Sequence, residues 1–443
     1  MSKRFELFWR SLPKTWVGRT WAGRTWAGMS TGAARTGRGT TRATVPSLAI
    51  LVLLAAPFVV IPSAAGAQSW SDEKIRQVDD LIDHFRQTNS DGATLPTLSI
   101  AIGVDGHLTL GKGYGASDGK PVTDHTLYEV GSLTKQFTAA AVLELIRDGA
   151  TTVDTHKKLT LETPLSDIFG KDSYWAEQPW LTVGRLLTMT SNLPNFTRWP
   201  PNDANPFAPI SAEHLFADIE SSAPSPASSE FDYSNTNYFL LAELLERTVL
   251  PGEKQPETYH EFLTAHLLQP AGMRTTEFIG EQPDGLDPPD PYAQRSQQVS
   301  TASIEEGAAM ASPDYRGRRR PPFTNPDWLK GSGDMVSSAA DMFAWHKALM
   351  GGQVVPAEVR DRMFADASRV TPFIYYGMGW FCEHKDDRDV FSHSGAVPGF
   401  TSYTSIIRMK TGGRWISVTL LSNSDQLDGL DGLADDIVNI VLQ

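Results

Sequence analysis

The stretch from Tyr128 to Arg147, Tyr-Glu-Val-Gly-Ser-Leu-Thr-Lys-Gln-Phe-Thr-Ala-Ala-Ala-Val-Leu-Glu-Leu-Ile-Arg, constrains this chain more than any other. Leu133 to Arg147 is rich in Ala and Leu with apolar residues at helical spacing, Gly131 allows a tight entry, and Ser132 is placed to cap the helix. Ser132 and Lys135 then share the first turn, with the hydroxyl at the positive end of the helix dipole and an ammonium three residues on. A lysine desolvated by such a helix has a lowered pKa and can accept the serine proton, which is one route to a nucleophilic serine. The spacing alone is common: Ser11 to Lys14, Ser71 to Lys74 and Ser117 to Lys120 share it. Only Ser132 to Lys135 opens a long apolar helix.

A chain of 443 residues, 40% hydrophobic and 21% charged, can bury one large core or two moderate ones. Residues 1–67 differ from the rest, with nine Lys or Arg, one Glu and an apolar run from Leu48 to Ile61 broken by Pro57. The run is too short to span a membrane, and Ala65-Gly66-Ala67 before Gln68 reads as a cleavage site, so residues 1–67 are expected to be an export signal with an extended leader. Arg-Thr-Trp-Ala-Gly repeats at Arg19 and Arg24 but is too short for a repeat architecture, and Met29 would make a more economical start. The expected location is the periplasm or the medium. Residues 68–443 retain 30 basic residues against 51 acidic ones, which argues against nucleic acid and anionic membranes as partners. Cys382, the single cysteine, allows no intrachain disulfide, and its apolar setting in Gly-Trp-Phe-Cys predicts a buried, inert thiol.

The patterning predicts a helix from Asp72 to Arg86 and strands at Leu98 to Val104 and His107 to Tyr114, joined by a tight Asp105-Gly106 turn. Between about 155 and 330 helical pieces alternate with Pro, Gly and Ser clusters, notably Ser221 to Ser229 and Gln282 to Pro291, which reads as a helical insertion. Strand patterns return at Tyr375 to Cys382, Thr401 to Met409 and Arg414 to Leu421, before a final amphipathic helix. The economical fold is an α/β chain of the α+β type. Its N-terminal hairpin and C-terminal strands complete one antiparallel sheet flanked by helices, with a mostly helical domain inserted.

Two further candidates carry chemistry. Tyr233-Ser-Asn235 precedes a helical run from Tyr238 to Glu246: a phenol near a lysine can act as base and then acid, an amide can bind a substrate amide, and the bland reading is a capped helix entry. His393-Ser394-Gly395, followed by Ala396, precedes the Thr401 strand, where a cation or donor on an edge strand could hold a substrate carboxylate beside an oxyanion. His260 and His266 do not share a helix face, and no metal constellation is visible.

Taken in order, Gly-Ser132-Leu-Thr-Lys135, Tyr233-Ser-Asn235 and His393-Ser-Gly395 resemble the penicillin-recognising serine hydrolases. The branch they are most similar to is that of class C β-lactamases, related DD-peptidases and D-aminopeptidases, and esterases of that fold. Leu186 to Pro194, Pro270-Ala-Gly-Met273 and Gly331 to Trp345 extend the resemblance, which covers about residues 75 to 443. Lys410-Thr-Gly412 spells another family motif but lies between two strand patterns as a turn, whereas His393 precedes Gly399-Phe-Thr-Ser-Tyr403 as the family's third motif does.

The resemblance implies a β-lactamase/transpeptidase-like fold and an acyl-enzyme at Ser132, with Lys135 and Tyr233 sharing proton transfer and the order of base and acid left open. It implies an oxyanion hole from the N–H groups of Ser132 and Ala396, Asn235 on a substrate amide or on Lys135, and His393 orienting Tyr233 or a substrate carboxylate. The partner is a small-molecule or peptide substrate; no cofactor, nucleic acid or stable membrane span is implied, and the oligomeric state stays open. Met189 and Asn192 replace the family's His and Gly, a departure expected to alter packing more than chemistry. The histidine in the third motif points to the DD-peptidase and D-aminopeptidase side. A β-lactamase and a catalytically silent ligand-binding relative are the alternatives.

Overall fold

A computed structural model describes residues 70–89, 95–117, 119–170, 174–198, 212–221, 230–279, 329–397, 399–424 and 427–443. The expected leader and its cleavage site, the loop cluster after Ser221 and the Gln282 to Pro291 stretch lie outside these residues. The principal elements begin with α1 (Asp72–Thr88), β1 (Leu98–Val104), β2 (His107–Tyr114), β3 (Leu127–Glu129) and α2 (Thr134–Asp148). Then come α3 (Val183–Leu187), α4 (Ala212–Ser221), α5 (Asn235–Leu245), α6 (Tyr259–Leu263), β4 (Glu277–Phe278) and β5 (Met335–Ser338). The C-terminal part holds α7 (Ala339–Gly351), α8 (Ala357–Met363), β6 (Ser368–Arg369), β7 (Ile374–Tyr376), β8 (Phe381–His384), β9 (Arg388–Val397), β10 (Phe400–Met409), β11 (Trp415–Ser422) and α9 (Leu430–Leu442).

One eight-stranded antiparallel sheet runs in the order β6-β7-β8-β9-β10-β11-β1-β2, so the N-terminal hairpin completes a sheet built mainly from the C-terminal third. Period-two alternation decides which face each strand buries. Ile100 and Ile102 face a core with Val78 and Ile82 of α1 and Leu433 and Ile437 of α9. Ala101, between them, joins the other core, which contains Phe343 and Trp345 of α7. Small residues on this second face let α7 approach closely: a Cβ on Gly103 would overlap the Phe343 ring. Beneath α7, buried His346 pairs through Nδ1 with Ser417 Oγ at 2.6 Å and through Nε2 with Thr404 Oγ1 at 3.0 Å.

Helix α2 is buried from Thr134 to Leu145, the polar Lys135, Gln136 and Glu144 included, and Gly149 ends it in the left-handed conformation at φ +77°. The predicted strand Tyr375 to Cys382 is broken into β7 and β8. At the break Gly379 has φ +82°, and a Cβ there would lie 2.8 Å from the Lys135 carbonyl oxygen, so the bend rides on the backbone of α2. Among the described residues no helix is long and apolar enough to cross a membrane.

Candidate active site

Ser132 does not cap the helix. It lies in a tight 3₁₀ turn, Gly131–Leu133, ahead of α2, and Thr134 Oγ1 holds that turn by donating to the Gly131 carbonyl at 2.8 Å. The Ser132 hydroxyl is thereby left for other partners. Lys135 Nζ lies 3.0 Å from Ser132 Oγ, and Tyr233 OH donates to the same oxygen at 2.8 Å. Lys135 also donates to Asn235 Oδ1 at 2.7 Å and to the Ser332 carbonyl at 2.6 Å. The other two Ser-x-x-Lys pairs with described positions differ: Ser71 caps α1 and Lys74 Nζ donates to Val441 O, while Lys120 is exposed.

Burial lowers the Lys135 pKa well below the lysine range, opposed in part by the Asp334 carboxylate. Burial raises the Tyr233 phenol well above its usual value, opposed by its bond to Ser132. These directions favour one arrangement of protons, that with a neutral lysine. A neutral lysine has two N–H bonds, which satisfy Asn235 Oδ1 and Ser332 O, and one lone pair, which faces Ser132 Oγ. With Tyr233 protonated, the hydrogen bonds form one directional chain from Tyr233 through Ser132 to Lys135.

Asn235 is the first residue of α5 and not its cap. Of its two expected partners the structure gives it Lys135, and its Nδ2 donates to Thr197 Oγ1 at 3.0 Å. Asn195 Oδ1 accepts from the Asn235 backbone N–H at 3.2 Å and from Thr197 Oγ1 at 2.8 Å, so Asn195 and Thr197 fix the amide from behind. Met189 and Asn192 both adopt positive φ, +56° and +57°. Asn192 occupies at modest cost a conformation that glycine favours. Met189 does more than pack: its sulfur accepts the Ser234 N–H at 3.5 Å and the Asn237 Nδ2 at 3.3 Å, bracing the turn that carries Tyr233.

His393 sits on β9, which is an internal strand. Its pairing with β8 ends at Ser392, while pairing with β10 continues to Val397, so residues 393–397 are open on the side that faces the serine turn. A Cβ on Gly395 would overlap the Val130 carbonyl and Ser402 Oγ, and one on Gly131, which has φ +53°, would lie 3.1 Å from the Ala396 nitrogen. Ser402 Oγ donates to that Val130 carbonyl at 2.8 Å. The strand tip and the serine turn therefore touch through backbone, and the Ala396 amide is brought beside the Gly131–Ser132 peptide, where an oxyanion site is expected.

Of the two expected roles of His393, cation or donor, burial disfavours the cation. His393 is fully buried between Tyr233, Tyr376 and Phe381, and burial, aided by Lys135, lowers its pKa to about 3. Its Nδ1 lies 2.7 Å from the Ser394 carbonyl, which can only accept, so Nδ1 carries the proton. Nε2 is then a buried lone pair with no hydrogen-bond partner among the described residues. His393 meets Tyr233 ring against ring, with centroids 6.2 Å apart. Lys410 follows the far end of β10, about 30 Å from Thr401 at ~3.3 Å per residue, and donates to Lys385 O. Cys382 is fully buried, with its thiol pKa raised by burial.

Sequence reasoning missed Ser332, Asn195, Thr197 and Asp334. Ser332 acts through its carbonyl, which any residue supplies, and the other three act through tertiary proximity. Among the described residues no group of His, Cys, Asp and Glu could hold a metal ion.

A sequence model of the family described as Beta-lactamase matches residues 78–442. The chain is 25% identical over 341 residues to the putative penicillin-binding protein PbpX of Bacillus subtilis, covering 76% of this chain and 73% of that protein. It is 25% identical over 346 residues to Protein flp of Staphylococcus aureus, covering 75% of this chain but only 60% of that longer protein. Among solved structures, the D-amino acid amidase of Ochrobactrum anthropi SV3 superposes with a TM-score of 0.62 at 20% identity, over 82% of this chain and 98% of the amidase.

Proposed function

The chain belongs to the Beta-lactamase family and is a serine hydrolase, and from that premise we propose that Ser132 is its nucleophile, Lys135 the base of acylation and Tyr233 the acid that protonates the leaving group. The observation that carries this reading is the Tyr233–Ser132–Lys135 chain, buried so that the lysine gives up its proton more readily and the phenol keeps its own. Ser132 Oγ attacks the substrate carbonyl as its proton passes to Lys135, and the charge gathering on the carbonyl oxygen meets the N–H groups of Ser132 and Ala396. Collapse of the tetrahedral adduct breaks the bond to the leaving amine or alcohol, which takes the Tyr233 proton. Lys135 returns a proton to the phenolate, and water then cleaves the acyl-enzyme by the same steps in reverse. No step requires a cofactor.

The substrate class we favour is an amide, peptide or ester of a D-amino acid type lacking a carboxylate next to the scissile bond. A buried, neutral His393 supplies no charge for such a carboxylate, and the likeness to a D-amino acid amidase supports the same choice. The basic and apolar leader before Gln68 supports export by a cleavable signal. The test compares kcat/KM for D-phenylalanine amide, its methyl ester, L-phenylalanine amide and a peptide ending in D-alanyl-D-alanine. A preference for the D-amide and ester is expected; faster cleavage of the peptide with a free carboxylate contradicts the reading.

A further inference from the structure

The carbonyl that receives Lys135 lies in a short segment, residues 329–334, folded on itself: the N–H groups of Ser332 and Gly333 donate to Leu329 O at 2.8 and 2.7 Å, and Gly331 N–H donates to Asp334 Oδ1 at 3.1 Å. Asp334 is fully buried, and its Oδ2 pairs at 2.9 Å with Nε2 of His260, a ring on α6 that stacks on Phe278 with centroids 4.1 Å apart. Tyr259, beside it, bonds Thr138 Oγ1 at 2.7 Å, and Thr138 donates to Gly331 O at 2.7 Å. A carboxylate is thus locked in place two residues after the lysine's carbonyl partner.

The other charges packed around the segment offset one another. From α5 and its C-cap, Glu243 and Glu246 both bind Lys330, at 2.9 and 2.7 Å, and Glu243 also binds Arg247 at 2.7 Å. Lys135 itself is faced by the rings of Tyr233 and Tyr238, 5.0 and 5.7 Å from Nζ, and by neutral His393 from β9. Among the described residues, Asp334 is the carboxylate that opposes the effect of burial on Lys135.

We propose that Asp334, held by Gly331 and His260, is a positioning residue that sets the charge balance of Lys135, stabilising the ammonium that forms as Ser132 is deprotonated. The inference rests on Lys135 being the base. Burial lowers the basicity of the amine and the carboxylate opposes that loss, in a site where both groups are fully buried. Asp334 touches neither substrate nor Ser132 and acts through the lysine.

The experiment is the pH dependence of kcat/KM on an activated ester, wild type against Asp334→Asn, with the ¹³Cε signal of Lys135 followed in parallel after labelling lysines and assigning the signal by Lys135→Met. Asparagine keeps an oxygen for Gly331 N–H and removes the charge. The acid limb and the lysine signal should both move down by about one pH unit, with a lower plateau. A lowered plateau with limb and signal unmoved overturns the proposal, because a merely structural role predicts that result. Should the asparagine variant fail to fold, Asp334→Ser must move the limb in the same direction. A wild-type lysine signal that does not follow the limb overturns the base assignment instead, and is told apart because the effect of Asp334→Asn is read on the lysine itself.

Discussion

Two imidazoles buried without charge each contribute a loss of stability in mild acid. His346 and His393 are both fully buried, and burial lowers each pKa to about 3. In the unfolded chain each titrates at about 6.5. The folded values lie below the unfolded ones, so as pH falls below about 6.5 the unfolded chain takes up protons that the folded chain refuses. The stabilisation is therefore full above pH 6.5 and lost between there and pH 3. At pH 5 the linkage costs about 2 kcal/mol per histidine relative to pH 8, or about 4 kcal/mol for the pair.

The perturbation is His346→Gln, distant in sequence from the serine turn and able to keep a hydrogen bond to Ser417 or Thr404. Urea unfolding of wild type and variant at pH 8 and pH 5 gives the two losses. The variant should lose about 2 kcal/mol less than wild type between the two pH values, whatever its stability at pH 8. Equal losses would refute the claim that His346 is held neutral by burial.

Other outcomes follow from single contacts. Gly395→Ala places a methyl against the Val130 carbonyl and Ser402 Oγ, so the strand tip must lift from the serine turn; esterase activity should fall by about 100-fold or more, with a stability loss of about 1–3 kcal/mol in thermal melts. Met189→Leu removes the sulfur acceptor of Ser234 N–H and Asn237 Nδ2, and should cost about 1 kcal/mol of stability and lower kcat more than it raises KM, because Tyr233 loses its brace. Lys410→Ala should leave kcat/KM within about twofold of wild type, since the lysine follows the far end of β10, while His393→Ala removes most activity; equal losses would return the third motif to Lys410.

Much of this architecture is legible because its signals are local. The hairpin β1–β2, helix α2 and the C-terminal strands follow from apolar periodicity and from Asp105-Gly106, and three short motifs point to side chains that lie together: Ser132, Lys135, Tyr233, Asn235 and His393. What stayed hidden depends on the tertiary surroundings. The turn that lifts Ser132 off the helix cap is held by the Thr134 hydroxyl and packs against β9. The break after Tyr376 arises where Gly379 crosses the Lys135 backbone. The neutrality of His393 comes from Tyr233, Tyr376 and Phe381 closing around it, which a His-Ser-Gly triplet cannot reveal. Asp334 reads in sequence as one acidic residue among 52, and only its burial behind Lys135 singles it out.

The central claim is that Ser132 forms the acyl-enzyme. Its most direct test is the intact mass of the protein after brief mixing with an activated D-amino acid ester and, separately, with a penicillin, alongside Ser132→Ala. The account predicts a mass increase of one acyl group with the ester, mapped to Ser132 by peptide digestion, absent in Ser132→Ala and reversed as the acyl-enzyme hydrolyses. An adduct that survives Ser132→Ala, or that maps to another residue while ester turnover continues, would contradict it.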